Sequence, residues 1–261
     1  MAYNPNNSYR TARAGYGAVA GSALLDEGLR AYMLRVYNWM ASGLVLTGLV
    51  AYGISHIPAA MNAFYPVVQT AGGQWVREPS VLAYISIFAP LAFVMVLSFG
   101  INKLSTTAVQ AIFWVFCAAM GASLTNIFLV YTQMSITEVF FITAGTFAGT
   151  SLYGYTTKAN LTGMGSFMMM GLIGIIIAMV VNLFLHSPMI QFVVSILGVL
   201  IFVGLTAYDT QRIKTSYLQF GSAYGTATAG KRSVYDALGL YLNFINLFMF
   251  LLQIFGQRNS R

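Results

Sequence analysis

Seven apolar runs of about twenty residues recur along this chain, at 31–53, 81–101, 107–131, 136–155, 164–185, 189–210 and 234–256. A helix of about 20 residues spans the roughly 30 Å hydrocarbon core of a bilayer. Backbone inside lipid must satisfy its own hydrogen bonds, which leaves helices and closed barrels. Runs of this length suit helices. Charged residues are 7% of the 261 and apolar residues 58%, against about 25% charged in a typical soluble domain. The expected fold is all-α: a polytopic membrane protein with seven transmembrane helices.

Residues 1–30 are rich in Gly, Ala, Asn and Tyr and lack the apolar core of a secretory signal peptide. They are expected to form a mobile cytoplasmic tail. Residues 31–256 would then be the transmembrane domain, and 257–261 a short tail. Residues 54–80 read as a long loop, with Pro58, Pro66, Pro79 and a Gly pair at 72–73. Pro90 predicts a kink in the second span. Ser135 and Glu138 have the spacing of a capping box opening the fourth span. Gly145 and Gly149 have the small-xxx-small spacing that lets membrane helices approach closely. Met168–Met170 read as adaptable packing rather than a metal site. A polar loop is expected between the sixth and seventh spans.

Net charge is +7. The basic residues fall in loops, so the positive-inside rule explains them better than nucleic acid does. With the N-terminus inside, ten of the 13 basic residues lie on the inner side and only Arg77, Arg258 and Arg261 outside. That predicts a cytoplasmic N-terminus. The single cysteine, Cys117, cannot form an internal disulfide.

Nothing in the sequence supports catalysis. His56 and His186 are far apart, no zinc-binding spacing occurs, and GMGS at 163–166 does not complete a nucleophile elbow. No enzyme, resident metal or cofactor is expected. The acids say more. Asp26 and Glu27 are in the tail and Glu78 is in a loop, which leaves Glu138, Asp209 and Asp236 in or near spans. Glu138 has a structural reading in its capping box. Asp236 has one too, because Ser233-x-x-Asp236 would open the seventh span, where the helix dipole favours an anion.

Asp209 stands apart. In GVLIFVGLTAYDTQRIK, 198–214, it falls at the expected end of a span, where the dipole disfavours a negative charge. Partial burial also disfavours the ionised form, while Arg212 favours it. Its structural reading is an ion pair with Arg212 or Lys214. Its functional reading is a proton-responsive gate or a cation ligand, since an acid in a membrane span is costly. Asp236, Asn243 and Asn246 could line one helix face with oxygens suited to a hard cation. Interhelical hydrogen bonding by the two asparagines is the alternative.

GLTAYDTQRIK at 204–214 and ALGLYLNFINLFMFLLQIFG at 237–256, with LRVYNWMASGLVLTGLVAY in the first span, resemble the Bax inhibitor family, or transmembrane Bax inhibitor motif family. The likeness runs from about residue 30 to the end, and the short tails look bacterial. The resemblance implies seven spans with the last helix central, and an inner-membrane location. It implies a calcium-permeable leak opened by pH, with Ca2+ as cargo and the bilayer as surroundings. It also implies a hydrogen-bonded pair of acids as sensor. The first acid maps onto Asp209. The second maps onto Asn243, where the family pattern has Asp, so only one partner of the pair can titrate. Arg212, Asp236, Asn246 and Glu138 would be supporting residues. The alternative class is a membrane regulator that does not transport and acts on membrane proteases or stress-response proteins.

Overall fold

The computed structural model describes residues 6–70, 72–100, 104–220 and 226–259, with side chains from residue 26 onward except at 98, 99, 226 and 227. Of the expected tail, residues 1–5 lie outside the described residues, and residues 6–30 belong to α1. In order, the elements are α1 (Asn6–His56), α2 (Pro58–Phe64), β1 (Val67–Gln69), β2 (Trp75–Arg77), α3 (Val81–Gly100) and α4 (Thr106–Leu124). There follow α5 (Ile127–Val130), α6 (Gln133–Thr156), α7 (Thr162–Leu185), α8 (Pro188–Phe220) and α9 (Thr226–Phe255).

Among the described residues, four helical segments are long and apolar enough to cross a membrane: Thr106–Val130, α7, α8 and Thr228–Phe255. The pair α1–α2, bent by 95°, raises the count to five. The fold is that of an all-α membrane protein, but length and apolarity alone do not carry the count to the seven expected. The apolar stretch of α3, Val81–Leu97, is short.

Several local expectations are corrected. The stretch read as a loop at 54–80 holds α2 and an antiparallel hairpin that pairs Val67 with Arg77 and Gln69 with Trp75. Pro58 starts α2 because its missing N–H costs nothing in a first turn. The N-cap of α6 is Thr132, whose hydroxyl accepts from the Ser135 N–H at 3.3 Å. Ser135 is therefore inside the helix, and the Ser135–Glu138 capping box does not form. The Ser135 hydroxyl instead accepts from the Gln257 N–H at 2.9 Å. The Ser233–Asp236 cap fails for the same reason. Helix α9 starts at Thr226, and the Ser233 hydroxyl donates back to the Gly230 carbonyl at 2.8 Å. Most of the stretch expected as a polar loop is helical, because α8 runs on to Phe220 and α9 starts at Thr226; residues 221–225 lie outside the described residues.

Helix α9 is packed by α8, α1, α6 and α4. Its apolar window is 61% buried, against 6% for α7. Leu240, Tyr241, Leu247 and Leu252 are fully buried, so α9 offers apolar side chains in several directions. Thr47 on α1 ties three helices together. Its hydroxyl bonds the Tyr241 hydroxyl at 2.7 Å and the Cys117 carbonyl at 2.9 Å. At the far end, the chain after α9 pairs with the segment before α6. The Thr132 N–H donates to the Gln257 carbonyl at 3.0 Å, and the Asn259 N–H to the Val130 carbonyl at 2.9 Å.

Close approach occurs at other glycines than expected. Around Gly145 and Gly149 an added Cβ would meet nothing within 4 Å. Thr143, Phe147, Ser151 and Gly154 form the buried face of α6. Gly145 lies two positions past Thr143, about 200° round the helix, and so faces away. At Gly154 a Cβ would sit 2.2 Å from the Ala207 carbonyl oxygen of α8. Gly154→Ala should therefore cost about 1–3 kcal/mol through overpacking. Gly149→Ala should be neutral or gain up to about 1 kcal/mol from helix propensity. Thermal unfolding of the two variants in detergent checks the contrast, and equal midpoints would refute the close contact.

Candidate functional site

The buried positions of α8 include Gly198, Phe202, Leu205, Thr206, Thr210 and Ile213, a three-to-four residue repeat that turns one stripe inward. Asp209 lies at the edge of this stripe. From α9, the buried Asn243 reaches it, and its amide donates to Asp209 Oδ2 at 2.7 Å. From its own helix, Arg212 Nη2 lies 3.0 Å from Asp209 Oδ1. The spacing is one turn, which puts both side chains on one face. The side chain of Asp209 is 14% exposed and that of Arg212 53%, so the acid faces inward and the base reaches out. The Arg212 guanidinium also lies 5.9 Å from the Tyr208 ring centre. Lys214, the other candidate counter-ion, turns away and donates to the Tyr155 carbonyl at 2.6 Å.

The expectation that Asp209 sits at a helix C-terminus is corrected. Helix α8 continues for eleven residues, to Phe220. The dipole effect is confined to about the last turn, so it does not act on Asp209. Asn243 and Arg212 define its surroundings instead.

Asp236 is the second acid at this end. Its Oδ2 accepts from the Tyr32 hydroxyl of α1 at 2.6 Å. Arg232, Arg212 and Asp209 are all near enough to act on its charge. The two acids therefore share Arg212 as a neighbour but hold different helices, Asp209 bonding within the α8–α9 pair and Asp236 bonding α9 to α1. Tyr32 also stacks on Tyr217 of α8, ring centres 4.8 Å apart.

A chain of hydroxyls runs beside Asp209. The Tyr37 hydroxyl of α1 lies 2.6 Å from the Ser151 hydroxyl of α6, which lies 2.9 Å from the Thr210 hydroxyl of α8. Thr210 then donates to the Thr206 carbonyl at 2.9 Å.

The other residues singled out in the sequence go elsewhere. The Asn246 amide donates to the Leu242 carbonyl of its own helix at 2.8 Å. Glu138 is exposed on α6 near the opposite end. Asp236, Asn243 and Asn246 thus bond three different partners and do not form one file of ligands. Among the described residues, no three His, Cys, Asp or Glu side chains are grouped to hold a metal. Sequence reasoning missed Tyr32, Tyr37, Ser151 and Thr210. Their only signal was a hydroxyl within an apolar run, and their partners are 59 to 204 positions away.

Chemically, the site is a clasp between two packed helices that can survive a proton. An amide donates to an ionised carboxylate through its NH2 and accepts from a protonated one through its carbonyl. Only the Arg212 contact depends on the charge.

A family model described as inhibitor of apoptosis-promoting Bax1 matches residues 29–260. An uncharacterized protein of Caulobacter vibrioides is 45% identical over 232 residues, covering 89% of this chain and 90% of that one. The inner membrane protein YbhL of Escherichia coli is 43% identical over 231 residues, 88% of this chain and 93% of YbhL. An uncharacterized protein of Rickettsia prowazekii is 42% identical over 235 residues, 90% and 93% of the two chains.

Burial ranks the two partners of Asp209. Asn243→Leu should cost about 1–3 kcal/mol, because it strands a carboxylate oxygen in a buried place. Arg212→Gln should cost about 1 kcal/mol or less, because that pair is half in solvent. Chemical unfolding in detergent measures both, and the reverse order would mean that the ion pair, not the amide, holds the helices.

Proposed function

The chain belongs to the Bax inhibitor-1 family, and from that premise we propose that it is a pH-sensitive, calcium-permeable channel or leak of an inner membrane. All seven long helices, α1, α3, α4 and α6 to α9, cross the bilayer in this reading, with α9 as the central one and the N-terminus in the cytoplasm. The observation that carries the reading is the inward-facing Asp209, held by Asn243 of α9 and Arg212 of α8. A carboxylate in a membrane span is costly and points to function. This one lies where the best-packed helix of the fold meets its neighbour, so its charge bears on their contact. Ca2+ is cargo here, and the protein works with neither a catalytic step nor a resident cofactor.

Asn243 shapes the response. With one titrating group in the pair, opening depends weakly on pH, because the amide bonds both forms of Asp209. Two carboxyls in contact would titrate as a coupled pair, with one proton held to higher pH.

Calcium flux into liposomes of the purified protein, measured from acid to neutral pH, tests this. The parent should respond weakly, Asn243→Asp steeply, and Asp209→Asn not at all. A parent as steep as Asn243→Asp would assign the second titrating group elsewhere, with Asp236 first in line. An absence of flux in every form would favour a regulator acting on membrane proteases. For topology, a reporter inserted after residue 220 should read cytoplasmic, and one fused after residue 261 external. A cytoplasmic reading at both would mean that α9 does not cross.

A further inference from the structure

Helices α1 and α6 both pack on α9 and leave a groove between them, a cavity of about 960 Å³. Its walls include Leu44 and Phe147, and Phe244 of α9 forms part of its lining. The polar side chains along it are gathered at one end: Arg30, Tyr37, Ser151 and Tyr155. Ser151 is buried, so its bond to Tyr37 closes the groove in depth at that end. Arg30 is exposed, and among the described residues it takes part in no ion pair, Asp26 and Glu27 one turn earlier included. A second cation stands close by, with Lys214 Nζ 5.1 Å from the centre of the Tyr155 ring. From Arg30 to Leu49 the α1 wall runs about 28 Å at 1.5 Å per residue, close to the thickness of a bilayer core.

The groove therefore has the polarity of an amphiphile: a basic, hydroxyl-bearing head and a long apolar shaft. Helix α7 gives the contrast. Its apolar window is only 6% buried and exposes Phe167, Ile173 and Phe184, an ordinary lipid-facing surface. In the groove an open apolar wall reaches the central helix, at Phe244, the residue after Asn243.

We propose that the groove between α1 and α6 is a seat for one anionic phospholipid of the surrounding leaflet. Arg30 takes the headgroup phosphate, because a guanidinium matches phosphate oxygens in pairs. Tyr155 donates beside it, and one acyl chain lies along Leu44 and Phe147 over Phe244. This requires only that the protein lies in a membrane, and it stands whether or not calcium passes.

The test uses the full chain in phosphatidylcholine vesicles. They carry a trace of phosphatidylglycerol, or of phosphatidylcholine, with a photoreactive acyl chain, and labelled peptides are mapped. The phosphatidylglycerol probe should label residues 40–49 and 140–152 several-fold more than α7. Arg30→Gln should bring that labelling down to the level of the phosphatidylcholine probe. Ala148→Trp, which fills the groove, should abolish it for both probes and leave α7 labelling unchanged, which also shows that the variant is folded. Groove labelling equal to that of α7, or unchanged in both variants, would overturn the proposal. So would Ala148→Cys crosslinking to a second chain, which would give the groove to a helix.

Discussion

A helix packed on several sides in an apolar interior must find a partner for each polar atom it carries, and α9 carries several. An unsatisfied polar group there costs about 1–3 kcal/mol. Ser233 and Asn246 bond carbonyls of their own helix, and five others reach neighbouring helices. Tyr235 donates to the Leu97 carbonyl of α3, and Asp236 accepts from Tyr32 of α1. Tyr241 meets Thr47 of α1, Asn243 meets Asp209 of α8, and Gln253 accepts from Ser195 of α8. Apolar burial brings the helices together without direction. These five bonds fix which helix faces which, and they do so along the whole length of α9.

The glycines set how near the outer helices come. Gly154 brings α6 against Ala207 of α8, and Gly121 brings α4 against the Thr47 carbonyl of α1. Among the described residues no glycine brings α1 so close to α6, and below the Tyr37–Ser151 bond the two leave α9 partly open between them. The groove and the clasp thus have a common origin. Both come from a central helix that is enclosed by polar pairing on one side and left uncovered on another.

The helices were legible in the sequence as apolar runs and Asp209 as a rare acid, while Asn243 was marked as its partner only by the family resemblance. The ends of the helices were not. Ser135–Glu138 and Ser233–Asp236 both look like caps, yet Thr132 and the start at Thr226 take the helices past them. A capping pattern shows that a helix can begin at a site, not that the preceding residues lack a better one. The same extension, of α8 to Phe220, removed the dipole argument for Asp209. The partners of the acids were hidden for another reason. Tyr32 meets Asp236 across 204 positions of chain, and no local spacing encodes a meeting of two helices. The glycine pair at 145 and 149 failed as a packing signal because spacing gives a stripe but not the direction it faces.

The two ends of α9 are held by different chemistry. Beyond Phe255 the chain is stitched by backbone bonds to Val130 and Thr132, which no proton can alter. Further along the helix the ties are side chains, and two of them involve carboxylates, at Asn243 and Asp236. At 1.5 Å per residue they lie about 18 Å and about 28 Å from Phe255. A change at either acid therefore acts on α9 well away from its stitched end, as a latch works at a distance from its hinge.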